Sequence, residues 1–69
     1  MKKGYYVSKV AQDNGDHEVH AEDCAWLPKP THRTYLGQFD NCADAVREAK
    51  KYHNQANGCI YCSKPCHTQ

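Results

Sequence analysis

A chain of 69 residues, of which only 39% are hydrophobic, forms one small domain with little apolar surface to bury. Burying a large apolar side chain yields about 1.5–3 kcal/mol, while ordering each residue costs about 1.5 kcal/mol. With packing alone, the net free energy of folding is therefore close to zero. The formal net charge of +1 gives no strong field of the kind that favours nucleic acid, membrane surfaces or acidic partners.

The first third of the chain predicts two strands joined by a hairpin. Residues 5–11 are rich in aromatic and β-branched side chains, which is typical of a strand. Asn14-Gly15 tolerates the positive φ angles of a tight turn. Residues 16–20 are then predicted to return as the second strand.

The middle of the chain predicts a third strand. Pro28 and Pro30 break regular structure, because proline fixes φ and donates no hydrogen bond to a sheet. Residues 34–39 follow as the strand, with Gly37 marking a bulge. We therefore predict a three-stranded antiparallel sheet in an α+β fold.

One helix is predicted at about residues 41–54, with Asp40 or Asn41 as its N-cap. Small and apolar side chains share one face of it at helical spacing, and they are Cys42, Ala45, Val46, Ala49 and Tyr52. Asn57-Gly58 predicts a turn, and residues 63–69 predict a polar tail of the same single domain, 1–69.

Two pairs of metal-ligating residues lie far apart in the sequence. His20 and Cys24 form an H-x3-C pair, and Cys59 and Cys62 form a C-x2-C knuckle. Tetrahedral zinc takes four nitrogen or sulfur ligands, commonly supplied as two close pairs that the fold brings together. Structural zinc contributes about 10–16 kcal/mol in small finger peptides. We therefore predict that one Zn²⁺, bound by these four residues, decides whether the chain folds.

A second histidine, His17, competes with His20 for the first pair. The two lie three residues apart on a predicted strand, where side chains alternate between faces, so only one of them joins Cys24 easily. His20 is favoured because it is closer to Cys24 and to the loop. The alternative, in which His20 is a surface histidine beside a structural thiol, stays open.

Cys42 and Cys66 stand outside these pairs, and three interpretations of them remain open. Cys42 fits a small buried apolar residue, with Cys66 a free thiol in the tail. The two also fit a disulfide that ties the tail to the helix. In the third, Cys66 or His67 replaces His20 as a ligand, or Cys66, His67 and His17 form a second and weaker metal site.

The order of these motifs resembles that of the Ada-type metal-binding module. H-x3-C after a strand, the segment 35–39 (Tyr-Leu-Gly-Gln-Phe), an alanine-containing helix and Gly-Cys-x2-Cys match it over about residues 19–62. The resemblance implies a small α+β zinc domain with the same four ligands, of the accessory kind often attached to nucleases. The Ada repair domain accepts a methyl group on the first cysteine of its C-x3-C pair. His20 occupies that position here, so the nucleophile is missing.

The whole chain also resembles short bacterial zinc-binding proteins, a likeness that implies no activity. A Cys–His catalytic pair needs an orienting third group in a cleft, which a chain this small can hardly build. We therefore predict a non-catalytic interaction module with a protein partner. Its candidate anchors are exposed aromatic residues, namely Tyr5, Tyr6, Trp26 and Tyr61.

Two alternative functions remain open. The first is a nucleic-acid-binding zinc domain that uses a stacking tyrosine and the basic residues Arg47, Lys50, Lys51 and Lys64. The second is a metal or redox sensor that uses Cys42 and Cys66. No apolar run is long enough for a signal peptide or membrane span, so we predict the reducing cytoplasm, where clustered cysteines bind metal more often than they cross-link. The odd count of five cysteines also disfavours a pure disulfide framework.

Overall fold

The computed structural model describes residues 1–68, which form a mixed sheet with an α-helix packed against it. The predicted small α+β fold is confirmed, although the sheet of this part of the chain has four strands and is not purely antiparallel. The elements in chain order are β1 (Lys3–Ser8), β2 (His17–Ala21), β3 (Arg33–Phe39), α1 (Cys42–Ala49) and β4 (Ala56–Gly58). Short 3-10 helices lie at Pro30–His32 and Lys64–Cys66.

The fourth strand was not predicted. The strand order is β3-β1-β2-β4, with β1 antiparallel to β2 and β3, and with β4 parallel to β2. The turn predicted at Asn57-Gly58 is therefore wrong. The buried Asn57 side chain donates to Asp16 Oδ2 at 3.2 Å, so a tertiary hydrogen bond overrides the local turn preference of this dipeptide.

The hairpin between β1 and β2 is present, but β1 is one residue shorter and begins earlier than predicted, and β2 is shifted by one residue. β1 ends at Ser8, so residues 9–11 belong to the connection. The Asn14-Gly15 turn is confirmed, with Gly15 at φ +92°. Its tip is closed by the Gly15 N–H, which donates to Gln12 O at 2.8 Å.

The predicted bulge at Gly37 is confirmed. Tyr5 pairs with Gly37 and Tyr6 pairs with Tyr35, so Leu36 is an extra residue on β3. Gly37 has φ +121°, which side chains rarely adopt. The bulge turns Leu36 into the core, where it is buried.

Helix α1 begins as predicted and ends about five residues early. The Asn41 side chain caps it by accepting a hydrogen bond from the Asp44 N–H at 2.9 Å. After Ala49 the chain turns instead of continuing to residue 54, because it must reverse to place β4 beside β2. Tyr52, assigned to the apolar face, is exposed as a result.

The core lies between the sheet and α1 and is small. Its buried residues are Tyr5, Val7, Val19, Ala21, Leu36, Ala45 and Ala49. Cys62 and Phe39 pack against this cluster. Within residues 1–68, no helix has the length and apolarity needed to cross a membrane.

The segment predicted as a polar tail packs against the fold. Ser63 is only 1% exposed, and Cys66 is joined to Cys42 by a disulfide. Thr68 donates from its backbone N–H to Asn57 Oδ1 at 3.1 Å. A free tail over residues 63–68 is therefore wrong, and Gln69 lies outside the described residues.

Candidate metal centre

The four predicted ligands lie together at one end of the β2–β4 pair. Parallel pairing of Val19 with Gly58 places the next residues, His20 and Cys59, side by side. The Cys24 N–H donates to Ala21 O at 3.1 Å in the turn after β2, which folds Cys24 back toward this end. The register of two strands thus joins two motifs that are remote in sequence.

The knuckle after β4 supplies the last ligand. The Ser63 N–H donates to Cys59 O at 2.8 Å, and this turn directs Cys62 to the same point as Cys59. The ligand atoms of His20, Cys24, Cys59 and Cys62 all lie within 4.8 Å of one another. This His/Cys group is positioned to bind a metal ion.

The individual distances match one tetrahedral ion. Cys24 Sγ lies 4.0 Å from Cys59 Sγ, and Cys62 Sγ lies 4.0 Å from His20 Nδ1. Metal–sulfur bonds of about 2.3 Å and metal–nitrogen bonds of about 2.0 Å give a tetrahedron with edges of roughly 3.5–3.8 Å. A small contraction of the cluster therefore satisfies an ion, whereas a disulfide needs about 2.05 Å between sulfurs.

Backbone N–H groups point at each of the three sulfur atoms. Such donors favour the negatively charged thiolate that metal binding requires. The hydrogen bonds run from Ala21 N to Cys62 Sγ at 3.3 Å, from Trp26 N to Cys24 Sγ at 3.4 Å, and from Tyr61 N to Cys59 Sγ at 3.4 Å.

Burial of the cluster, by contrast, disfavours the charged forms of its side chains. It raises the pKa of the Cys59 and Cys62 thiols, and it lowers the pKa of His20. Without a metal, burial therefore favours the neutral forms of these two thiols and of the imidazole. A neutral imidazole keeps a lone pair for a metal, whereas each thiol must lose a proton before it binds one.

The Glu18 carboxylate lies beside the His20 ring. His20 Nε2 lies 3.7 Å from Glu18 Oε1, while Nδ1 faces Cys62 Sγ. A carboxylate beside the second ring nitrogen is a common partner of metal-bound histidines, because it sets the tautomer and raises ligand basicity. Sequence reasoning missed Glu18, although its position two residues before His20 on a strand places both side chains on one face.

Replacing Glu18 by glutamine is expected to weaken metal binding by about tenfold, because a neutral amide attracts the His20 N–H less than a carboxylate does. Competition with a chromophoric chelator measures the affinity. Glu48→Gln is the matched control, since Glu48 lies on α1 and pairs with Lys51, away from the cluster. Equal affinities for Glu18→Gln and the unmodified chain would contradict the role of Glu18.

The remaining candidate ligands lie elsewhere. The His17 ring stacks on His53 with centroids 3.8 Å apart, and its Nδ1 contacts Ser8 O at 2.9 Å. His67 Nδ1 contacts Gly58 O at 3.0 Å. Neither residue joins the cluster.

Of the three interpretations of Cys42 and Cys66, the structure has the disulfide. The free-thiol interpretation of Cys66 is therefore wrong. So is its assignment as a metal ligand, because its sulfur is bonded to Cys42. Cys24, Cys59 and Cys62 are in no disulfide, which leaves all three sulfurs of the cluster available to a metal.

Two exposed aromatic residues lie close in sequence to ligands of the cluster and stack on each other. Trp26 and Tyr61 stack with centroids 5.2 Å apart and are 62% and 69% exposed. Each follows a cysteine of the cluster by two residues. Tyr5, also assigned as an exposed anchor, is buried in the core, and the half-buried Tyr6 lies under Arg33 at 4.6 Å.

Comparison of the chain with protein-family models, with curated proteins and with solved structures finds no match. The resemblance to the Ada-type module therefore remains a prediction, carried by the spacing of the two ligand pairs. The geometry of the cluster is what supports a function for this chain.

Proposed function

We propose that the protein binds one zinc ion through His20, Cys24, Cys59 and Cys62, and that this ion holds the domain together. The mutual spacing of the four ligand atoms, all within 4.8 Å, is the observation that carries the proposal. Three sulfurs and one imidazole favour zinc over magnesium or calcium, which prefer oxygen ligands. A closed set of four protein ligands is typical of structural zinc sites.

The proposed ion would link two parts of the fold that are otherwise joined by the β2–β4 pairing and the hydrogen bond between Asn57 and Asp16. His20 and Cys24 belong to β2 and its following turn, while Cys59 and Cys62 belong to the knuckle after β4. β4 itself has only three residues, so its pairing with β2 is weak by itself. A bound ion would add about 10–16 kcal/mol to this junction.

The proposed role is that of a small non-catalytic interaction module. Four protein ligands leave no position on the ion for water or substrate, and His20 stands where the Ada repair domain has its methyl acceptor. A protein partner is favoured by the exposed Trp26–Tyr61 stack, since aromatic residues are enriched at protein interfaces. The spacing of the ligand pairs supports the proposed relation to the Ada-type module.

Nucleic-acid binding is the weaker alternative. Two cations of the basic patch are already engaged in ion pairs: Arg47 pairs with Asp44 at 2.9 Å, and Lys51, which follows α1, pairs with Glu48 at 3.0 Å. Steeply salt-dependent retention on an oligonucleotide column would favour this alternative. The proposed location is the reducing cytoplasm, where Cys24, Cys59 and Cys62 stay available to metal.

Elemental analysis combined with a thiol count tests the zinc site. We expect one zinc ion per chain and, after denaturation with a chelator, three thiols that react with an alkylating reagent. His20→Ala should lower the zinc content, whereas the matched variant His17→Ala should not. A folded protein that carries no metal would refute the proposal.

A further inference from the structure

The disulfide between Cys42 and Cys66 joins the first residue of α1 to the C-terminal 3-10 helix, outside the metal centre. Both cysteines are partly exposed. Disulfides of cytoplasmic proteins are usually transient and serve catalysis or redox sensing. We propose that this disulfide undergoes reversible exchange with a dithiol protein, and that its redox state sets the zinc affinity of the centre. The inference rests on the zinc site and the location proposed above.

The position of Cys42 at the N-terminus of α1 favours attack of the dithiol protein on Cys66, with Cys42 as the leaving thiolate. A thiolate of the dithiol protein attacks Cys66 Sγ, the bond between the two cysteines breaks, and its electron pair leaves on Cys42 Sγ. The positive end of the α1 dipole stabilises that leaving thiolate. The second thiol of the dithiol protein then displaces Cys66 from the mixed disulfide. Two electrons and two protons pass to Cys42 and Cys66, and the dithiol protein becomes a disulfide.

A short segment, whose first residue Ser63 is buried, connects the metal centre to the disulfide. Cys66 lies four residues after Cys62, and the Cys66 N–H donates to Ser63 O at 2.9 Å. Ser63 in turn donates its N–H to Cys59 O, and its hydroxyl lies 3.8 Å from Cys62 Sγ. Any shift of Cys66 is therefore transmitted to both cysteines of the knuckle.

Cys66 also packs against β4. A side chain at Gly58 would meet Cys66 Cβ at 2.7 Å and Ser63 O at 2.7 Å, so the segment sits directly on the strand that precedes Cys59. Glycine is required here by this close approach. The covalent bond to Cys42 holds the segment on β4 from the outside.

After reduction, this end of the chain is held by packing against β4 and by hydrogen bonds, without a covalent link. His67 Nδ1 contacts Gly58 O, and Thr68 donates to Asn57 Oδ1. Each such bond contributes about 0.5–1.5 kcal/mol, so the segment becomes more mobile once the disulfide opens. The knuckle is then less preorganised, and zinc binding must supply the ordering itself. The oxidised form therefore binds zinc more tightly.

Zinc affinity in the two redox states tests the proposal. The oxidised protein and protein reduced under argon by a thioredoxin-type dithiol protein are each titrated with zinc against a chromophoric chelator. Mass spectrometry after alkylation counts the new thiols. After reduction we expect two additional thiols on the zinc-bound protein. We also expect its zinc affinity to be about tenfold lower than that of the oxidised protein, a typical coupling between linked sites. The double variant Cys42→Ser/Cys66→Ser should have the zinc affinity of the reduced protein, and that affinity should not change when the dithiol protein is added.

The outcomes separate the two proposals. Equal zinc affinities in the two redox states overturn the coupling, as does a second zinc ion bound by the reduced protein. A disulfide that the dithiol protein leaves intact overturns the exchange. If neither form binds zinc, the zinc site itself is refuted. Because the main comparison uses the unmodified chain, it stands even if the double variant does not fold.

Discussion

Replacing Cys59 by serine is expected to abolish both zinc binding and cooperative folding. Cys59 is buried, and its sulfur lies 4.0 Å from Cys24 Sγ at the centre of the cluster. A serine hydroxyl stays protonated near neutral pH and is a poor zinc ligand. The lost zinc contribution, about 10–16 kcal/mol, is as large as the whole stability of a typical domain, about 5–15 kcal/mol. Circular dichroism and elemental analysis measure the two losses.

The matched control for this variant replaces the two cysteines outside the cluster by serine. Cys42→Ser/Cys66→Ser removes the disulfide and leaves all four proposed ligands in place, so it should keep one zinc ion and a folded spectrum. A Cys59→Ser protein with full zinc content and a native spectrum would show that the knuckle is not a metal site.

Removal of zinc by a chelator is expected to unfold the chain reversibly. Added zinc should restore the fold, and added magnesium should not, because magnesium prefers oxygen ligands. The apolar core of residues 1–68 is small, so little else compensates for the lost ion. Far-ultraviolet circular dichroism follows both steps. Retention of the native spectrum in excess chelator would contradict a structural role.

Zinc affinity should also fall as the pH is lowered. Burial raises the pKa of Cys59 and Cys62 in the metal-free fold, and thiols of an unfolded chain are also mostly protonated at pH 7. Zinc binding therefore releases at least two protons, so affinity near pH 7 drops by about a hundredfold or more per pH unit. The lowered pKa of His20 keeps its imidazole neutral there, so His20 adds little to this slope.

Local patterns predicted the local features of the molecule well. The N-cap at Asn41 and the turn at Asn14-Gly15 depend on side chains and φ angles within a few residues. The bulge at Gly37 is of the same kind. The two ligand pairs are also short motifs, which is why the spacing of their residues reveals them directly.

Features that depend on distant partners were missed. β4 is a strand of only three residues that contains the turn-favouring dipeptide Asn57-Gly58. Its pairing with β2 and the buried contact of Asn57 with Asp16 override that local preference. The early end of α1 at Ala49 follows from the same strand, since the chain must turn back to reach β2. The role of Glu18 depends on the ring orientation of His20, which is set by the position of Cys62 in the folded chain.

By itself, the sequence determined that this protein is a small α+β domain with two ligand pairs, H-x3-C and C-x2-C, whose donor types suit one metal ion. Only the tertiary structure decided that the pairs meet, and that Cys42 and Cys66 bond to each other rather than to a metal. The physical reason is the parallel register of β2 and β4. It sets His20 beside Cys59 across 39 residues of chain, and no local pattern in the sequence carries that register.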